Sequence, residues 1–137
     1  MPAIYADASA LMKLVADEPL SDVVGAFVRD AEVFSSELIL AEIPRALRRI
    51  DDERPGAELG PMLERADELI GTITMAPVES LILEAAGELP EPALRTLDAI
   101  HVVAALYLRP IDAFLTYDVR QAASARLAGL RTVAPGL

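Results

Sequence analysis

Short apolar runs alternate with longer segments of helical periodicity along this chain. Ala3-Ile4-Tyr5-Ala6 is an apolar run of strand length, and a helical segment follows from about Ser9 to Ala16, stopped by Asp17-Glu18-Pro19. Ser21 reads as the cap of a second helix reaching Arg29, with Val23, Val24, Phe27 and Val28 on its apolar face. A strand near Val33-Phe34 precedes Ser36, which reads as the cap of a helix reaching Ile50. The polar stretch Asp51–Gly60 holds Pro55 and Gly56 and reads as a loop or a helix-hairpin turn. Pro61 suits the start of a helix to Ile70, followed by a strand near Thr72–Ala76 and a helix over Pro77–Glu88. Pro90 and Pro92 break the chain before the apolar helix Thr96–Leu108. A strand at Ala113–Thr116, a helix at Val119–Ala128 ended by Gly129, and a strand at Arg131–Val133 complete the order.

Strands separated by helices predict an α/β fold with a mostly parallel sheet covered on both faces. Pro44 conflicts with its surroundings, because within a helix it removes a donor and costs about 3 kcal/mol. Either the Ser36–Ile50 helix starts late, or it kinks just beyond Glu42. The 137 residues are expected to form one domain over 1–137, with no internal repeat.

Composition narrows the picture. Hydrophobic residues make up 53% but aromatics only 4%, so the core is expected to be built of Ala, Leu, Val and Ile. No apolar run approaches the roughly 20 residues of a membrane span. There is no cysteine, hence no disulfide framework and no thiolate metal site. With no leader-like pattern at the N-terminus, these features predict a soluble cytoplasmic protein. The net charge of −10 argues against diffuse electrostatic binding to nucleic acid. Lys13 is the only lysine, and the arginines that make up the rest suit bidentate contacts to phosphate or carboxylate.

Four acids stand out by position: Asp7, Glu42, Asp98 and Asp118. Asp7 and Asp118 follow the apolar runs ending at Ala6 and Thr116, where ligands of parallel sheets bind. Asp98 lies in a segment whose residues from Leu97 to Leu106 are nearly all apolar, and Glu42 sits among Leu38, Ile39, Ile43 and Ala46. Each has a structural reading as well. Asp7 and Asp118 read as helix caps, with Ser9 able to cap in place of Asp7. Asp98 suits a first helical turn. Glu42 reads as a solvated face shared with Arg45 and Arg49. Thr116 either bonds a site carboxylate or ends its strand. His101 alone supports neither a catalytic triad nor a multi-histidine zinc site, and reads as a hydrogen-bonded core residue or as an orienter of Asp98. Grouped carboxylates cost several kcal/mol without a counter-charge, and an oxygen-only set suits Mg²⁺ or Mn²⁺.

With these residues assembled, the chain resembles the PIN domain family, and within it the VapC-type ribonuclease toxins. The matching segments are Asp7-Ala8-Ser9-Ala10-Leu11-Met12-Lys13-Leu14, Ser36 through Glu42 to Leu47, Leu94 through Asp98 to His101, and Phe114-Leu115-Thr116-Tyr117-Asp118. The resemblance implies a three-layer α/β/α sandwich and an acidic pocket for Mg²⁺ or Mn²⁺. Within it, Asp7 and Asp98 are implied as direct ligands, with Glu42 and Asp118 completing the site through water or a second ion. Ser9 and Thr116 match the hydroxyl residues beside the first and last acids, and Arg95 and Lys13 fall where substrate or carboxylate contacts are expected. The implied reaction is endonucleolytic cleavage of RNA, and the implied partners are a cognate antitoxin and a second copy of the chain. A catalytically silent scaffold or RNA-binding module is the alternative. A small-ester phosphatase lacks support, because no second Asp follows Asp7 by two positions.

Overall fold

The computed structural model describes residues 1–56 and 58–137. Its strands are β1 (Ala3–Ala6), β2 (Glu32–Ser36), β3 (Thr74–Ala76), β4 (Ala113–Leu115) and β5 (Thr132–Val133). Its helices are α1 (Ala8–Met12), α2 (Ser21–Val28), α3 (Ile39–Glu53), α4 (Leu59–Ile70), α5 (Ser80–Gly87), α6 (Thr96–Tyr107) and α7 (Val119–Leu127). The strands form one sheet in the order β3-β2-β1-β4-β5, and every neighbouring pair is parallel.

The period-two geometry of strands divides the core into two. Ile4, Ala6, Ala113 and Leu115 point to one face, where they pack with Leu11, Val24, Ile43, Leu47 and Met62 from α1 to α4. Tyr5 and Phe114 point to the other, with Ile82, Val102, Ala104 and Ala125 from α5 to α7. Their rings stack at 5.1 Å between centroids across β1 and β4. Ile39, Ile43 and Leu47, spaced by four on α3, are fully buried, each contributing about 1.5–3 kcal/mol over exposure. Such helix layers on both faces of a parallel sheet give the expected three-layer α/β/α sandwich. Among the described residues, no helix is long and apolar enough to cross a membrane.

Local differences from expectation have physical causes. Helix α1 ends at Met12, and the chain from Lys13 to Val15 tightens into turns bonded three residues back. Ser21 is not a cap. The cap position belongs to Leu20 at φ 72°, and the Ser21 hydroxyl instead accepts from Glu18 N and donates to Ala16 O. Strand β2 extends to the buried Ser35 and Ser36, because Ser35 Oγ donates to Ala6 O at 2.7 Å and so meets its own polar demand. Ser36 Oγ accepts from Leu38 N in the turn before α3 rather than capping the helix.

Helix α3 begins well before Pro44, which ends the late-start alternative. The carbonyl that loses its donor is that of Leu40, a residue 49% exposed and therefore open to water. The helix also runs on to Glu53, so the expected loop begins later than Asp51. Within that loop, residue 57 lies outside the described residues. Helix α4 starts at Leu59, which puts Pro61 in its first turn.

Candidate active site

Sheet order reverses at β1: the chain leaves it toward β2 and β3 on one side, while β4 and β5 lie on the other. The carboxyl ends of β1 and β4 therefore bound the crevice in which parallel sheets bind ligands. Asp7 follows β1 directly, and Thr116 follows β4.

Asp7 is 2% exposed and fully engaged. Its Oδ1 accepts from Ser9 Oγ at 2.6 Å and from Ala10 N at 3.0 Å, and its Oδ2 accepts from Thr116 Oγ1 at 2.5 Å. The bond from Ala10 makes Asp7 the cap of α1 as well, so the cap and site readings coexist in one side chain. Ser9 does not replace it as a cap but donates to it. Burial raises the Asp7 carboxyl above its ordinary range, against the lowering effects of its hydrogen bonds from Ser9, Thr116 and Ala10.

Thr116 joins two acids, since its Oγ1 also accepts from Asp118 N at 3.0 Å. Asp118 Oδ1 accepts from Gln121 N at 3.0 Å and caps α7. Gln121 is buried, and its side-chain amide donates to the Asp98 carbonyl at 3.0 Å, tying the start of α7 to the first turn of α6. Asp98 is raised chiefly by burial, then by the charges of Asp118 and Asp7, with His101 opposing and Glu42 adding a smaller push. Among the described residues no donor bonds the Asp98 carboxylate, which is partly open to solvent.

Glu42 shares a solvent-open concavity with Arg45 and Arg49 but also has a buried partner. Its Oε1 lies 2.7 Å from His101 Nε2, and its side chain is 19% exposed. His101 is the hydrogen-bonded core residue expected, but it orients Glu42 rather than Asp98, and its Nδ1 lies 2.7 Å from Tyr5 Oη. Tyr5 and Gln121 were not signalled by the sequence. Each is the buried polar partner of a residue far away along the chain, and neither sits in a distinctive motif.

The acids open to solvent through two concavities. One, about 440 Å³, is lined by Ser9, Met12, Glu42, Arg45, Arg49 and Leu97 among others. The second, about 300 Å³, is lined by Arg95, Asp98, Asp118, Val119 and Arg120. Guanidinium groups thus border both openings of an acidic centre, an arrangement suited to phosphate. Lys13 is instead occupied, 3.4 Å from Glu18 Oε2 and 4.8 Å from the centre of the Tyr117 ring. Among the described residues no three acidic or imidazole groups stand close enough together to hold a metal ion. Their charges nevertheless act on one another, and an oxygen-only, mutually repelling donor group with one uncompensated member fits a hard divalent cation chemically.

Residues 4–129 match the PIN domain family, and the chain belongs to that family. Its relatives include proteins of Mycobacterium tuberculosis. Ribonuclease VapC46 is 36% identical over 98% of this chain and 99% of its own length. Ribonuclease VapC35 is 32% identical, with 97% of each chain covered. Two solved structures share the fold. VapBC2 from Rickettsia felis, bound to a DNA fragment from its promoter, superposes with a TM-score of 0.68 at 11% identity, covering 96% of this chain and 97% of that one. PAE2754 from Pyrobaculum aerophilum gives 0.63 at 18% identity, covering 96% and 91%.

Proposed function

We propose that the chain is an endoribonuclease of the VapC type, the toxin of a toxin–antitoxin pair, acting in the cytoplasm as a single PIN domain over 1–137. The observation that carries this reading is the placement of Asp7 just after β1, at the switch point of a parallel sheet, with Asp98 and Asp118 lining one arginine-bordered concavity and Glu42 another. The names of its relatives support the ribonuclease activity, and the likeness to VapBC2 supports a partner antitoxin. A homodimer is part of the same proposal.

Asp7 and Asp98 are the direct ligands of Mg²⁺ or Mn²⁺ in this reading, with Glu42 and Asp118 completing the site. A bound divalent ion supplies Lewis-acid stabilisation of charge on a phosphoryl group and makes its water a better nucleophile at neutral pH. The chain's own part is positional. Ser9 and Thr116 hold the two Asp7 oxygens, so that this carboxylate has a fixed orientation before any ligand arrives. Gln121 fixes Asp118 against Asp98. Arg45 and Arg49 on one side and Arg95 and Arg120 on the other meet the phosphates flanking the scissile bond, holding the strand across the acids.

The deciding experiment uses Asp98→Asn, with Asp7→Asn beside it. Each is expected to reduce Mg²⁺-dependent RNA cleavage about a hundredfold or more, the several kcal/mol that bound-cation chemistry contributes, while the circular dichroism spectrum stays that of a folded chain. Cleavage at the unsubstituted rate by both variants would overturn the proposal. A chain that folds and binds RNA but never cleaves it would establish the silent RNA-binding module instead.

A further inference from the structure

His101 is the chain's only histidine and is 1% exposed. Both ring nitrogens are engaged at 2.7 Å, Nδ1 with Tyr5 Oη and Nε2 with Glu42 Oε1. Tyr5 comes from β1, His101 from α6 and Glu42 from α3, so this line of contacts runs through all three layers of the sandwich. It ends on Glu42, in the first turn of α3.

The donor inventory fixes the direction of the bonds. An ionised carboxylate only accepts, so Glu42 requires the hydrogen on Nε2. In the neutral ring Nδ1 is then bare and needs a donor. Tyr5 supplies one, since a phenol O–H donates and its oxygen lies 2.7 Å from Nδ1. A role in filling the core explains neither short polar contact, since an apolar ring would fill the same space without two polar atoms to satisfy.

We propose that His101 is a positioning residue: locked by Tyr5 as the Nε2–H tautomer, it aims the Glu42 carboxylate into the acidic centre. The inference rests on the metal-centre reading above. Glutamate has three side-chain torsions, and confining them at a partly open site costs conformational entropy at the moment of binding. A donor fixed by the core spends that entropy during folding instead. Hydrogen-bonding partners behind metal-binding side chains typically govern affinity by 10- to 100-fold.

The single imidazole makes a direct test available. Long-range ¹H–¹⁵N NMR of the metal-free, ¹⁵N-labelled chain at neutral pH is expected to show hydrogen on Nε2 and a bare Nδ1. Hydrogen on Nδ1, alone or with Nε2, overturns the relay. Calorimetric titration with Mn²⁺ then tests its consequence. His101→Leu is expected to weaken binding about 10- to 100-fold. His101→Gln, whose amide N–H reaches toward the place of Nε2, is expected to recover most of that loss. Unchanged affinity in the Leu variant, or a Gln variant as weak as Leu, overturns the positioning role. If the Leu variant does not fold, Tyr5→Phe takes its place, since it keeps the ring stacked on Phe114. It removes the donor to Nδ1 and should weaken Mn²⁺ binding several-fold, and an unchanged affinity overturns the proposal. Failure of the unsubstituted chain to bind Mn²⁺ would overturn the metal centre, and the tautomer would then decide the relay on its own.

Discussion

Asp7 and Asp98 show how differently one protein treats two carboxylates of the same site. Asp7 is buried but receives three donors, whereas Asp98 is raised by burial and by neighbouring charge with no donor among the described residues to offset them. Both folded-state pKa values lie above the unfolded value of 3.8. Between the unfolded and folded values the folded chain binds more protons, so stability falls as pH rises through that window. At neutral pH both ionised groups remain as a cost to folding. Asp98→Asn is therefore expected to raise the melting temperature by a few degrees in chelator-treated buffer at neutral pH. The gain should shrink as pH falls toward the unfolded value, which thermal scans across pH would show. A variant no more stable at neutral pH would mean that Asp98 ionises without penalty. The sequence exposed these two residues because each interrupts or ends an apolar run. It did not expose the partner of Glu42, since His101 lies 59 positions away and only the tertiary fold brings α3 and α6 together there. Spacing along α6 pointed to Asp98 instead, a local inference that tertiary contact overrode.

Elements were more legible than their ends. Continuous apolar runs marked β1 and β4 because parallel strands covered on both faces need no alternation. Strand β2 was underestimated because Ser35 and Ser36 are polar, and the bond satisfying Ser35 lies on a neighbouring strand. Helix α3 runs through Pro44 because Ile39, Ile43 and Leu47 bury a stripe that outweighs one missing bond near solvent. The end of α7 followed local rules. Gly129 has φ 92°, its N–H bonds Arg126 O, and Leu130 N bonds Ala125 O, which together form the Schellman closure of a helix. A Cβ at Gly129 would meet no atom within 4 Å, so substitution changes only backbone energetics. Gly129→Ala is expected to cost about 1 kcal/mol, the penalty of a left-handed residue with a side chain. Urea denaturation should show a lower midpoint at an unchanged slope. A stability equal to the unsubstituted chain would indicate that α7 ends without this closure.

At the scale of the molecule, charge and topology are linked. A net charge of −10 leaves the chain self-repelling, and part of that repulsion is concentrated where β1 and β4 deliver Asp7 and Asp118 beside Asp98. The parallel order that created the crevice was readable from the alternation of strands and helices. The four acids drew attention only as a set, because each had a sufficient local explanation as a cap or helix-face residue. A divalent cation that binds the folded chain alone must stabilise it by mass action, reaching about 2.7 kcal/mol at a hundredfold excess over its dissociation constant. Any salt also screens a net charge of −10, so the informative quantity is the difference between MnCl₂ and NaCl at equal ionic strength. Thermal melts of the unsubstituted chain should rise with MnCl₂ beyond the NaCl control and saturate. Asp98→Asn should start higher at neutral pH and gain little from MnCl₂ over NaCl, because the repulsion that the ion relieves has already been removed. An equal excess gain in both chains would place the cation elsewhere on the acidic surface and detach it from the crevice.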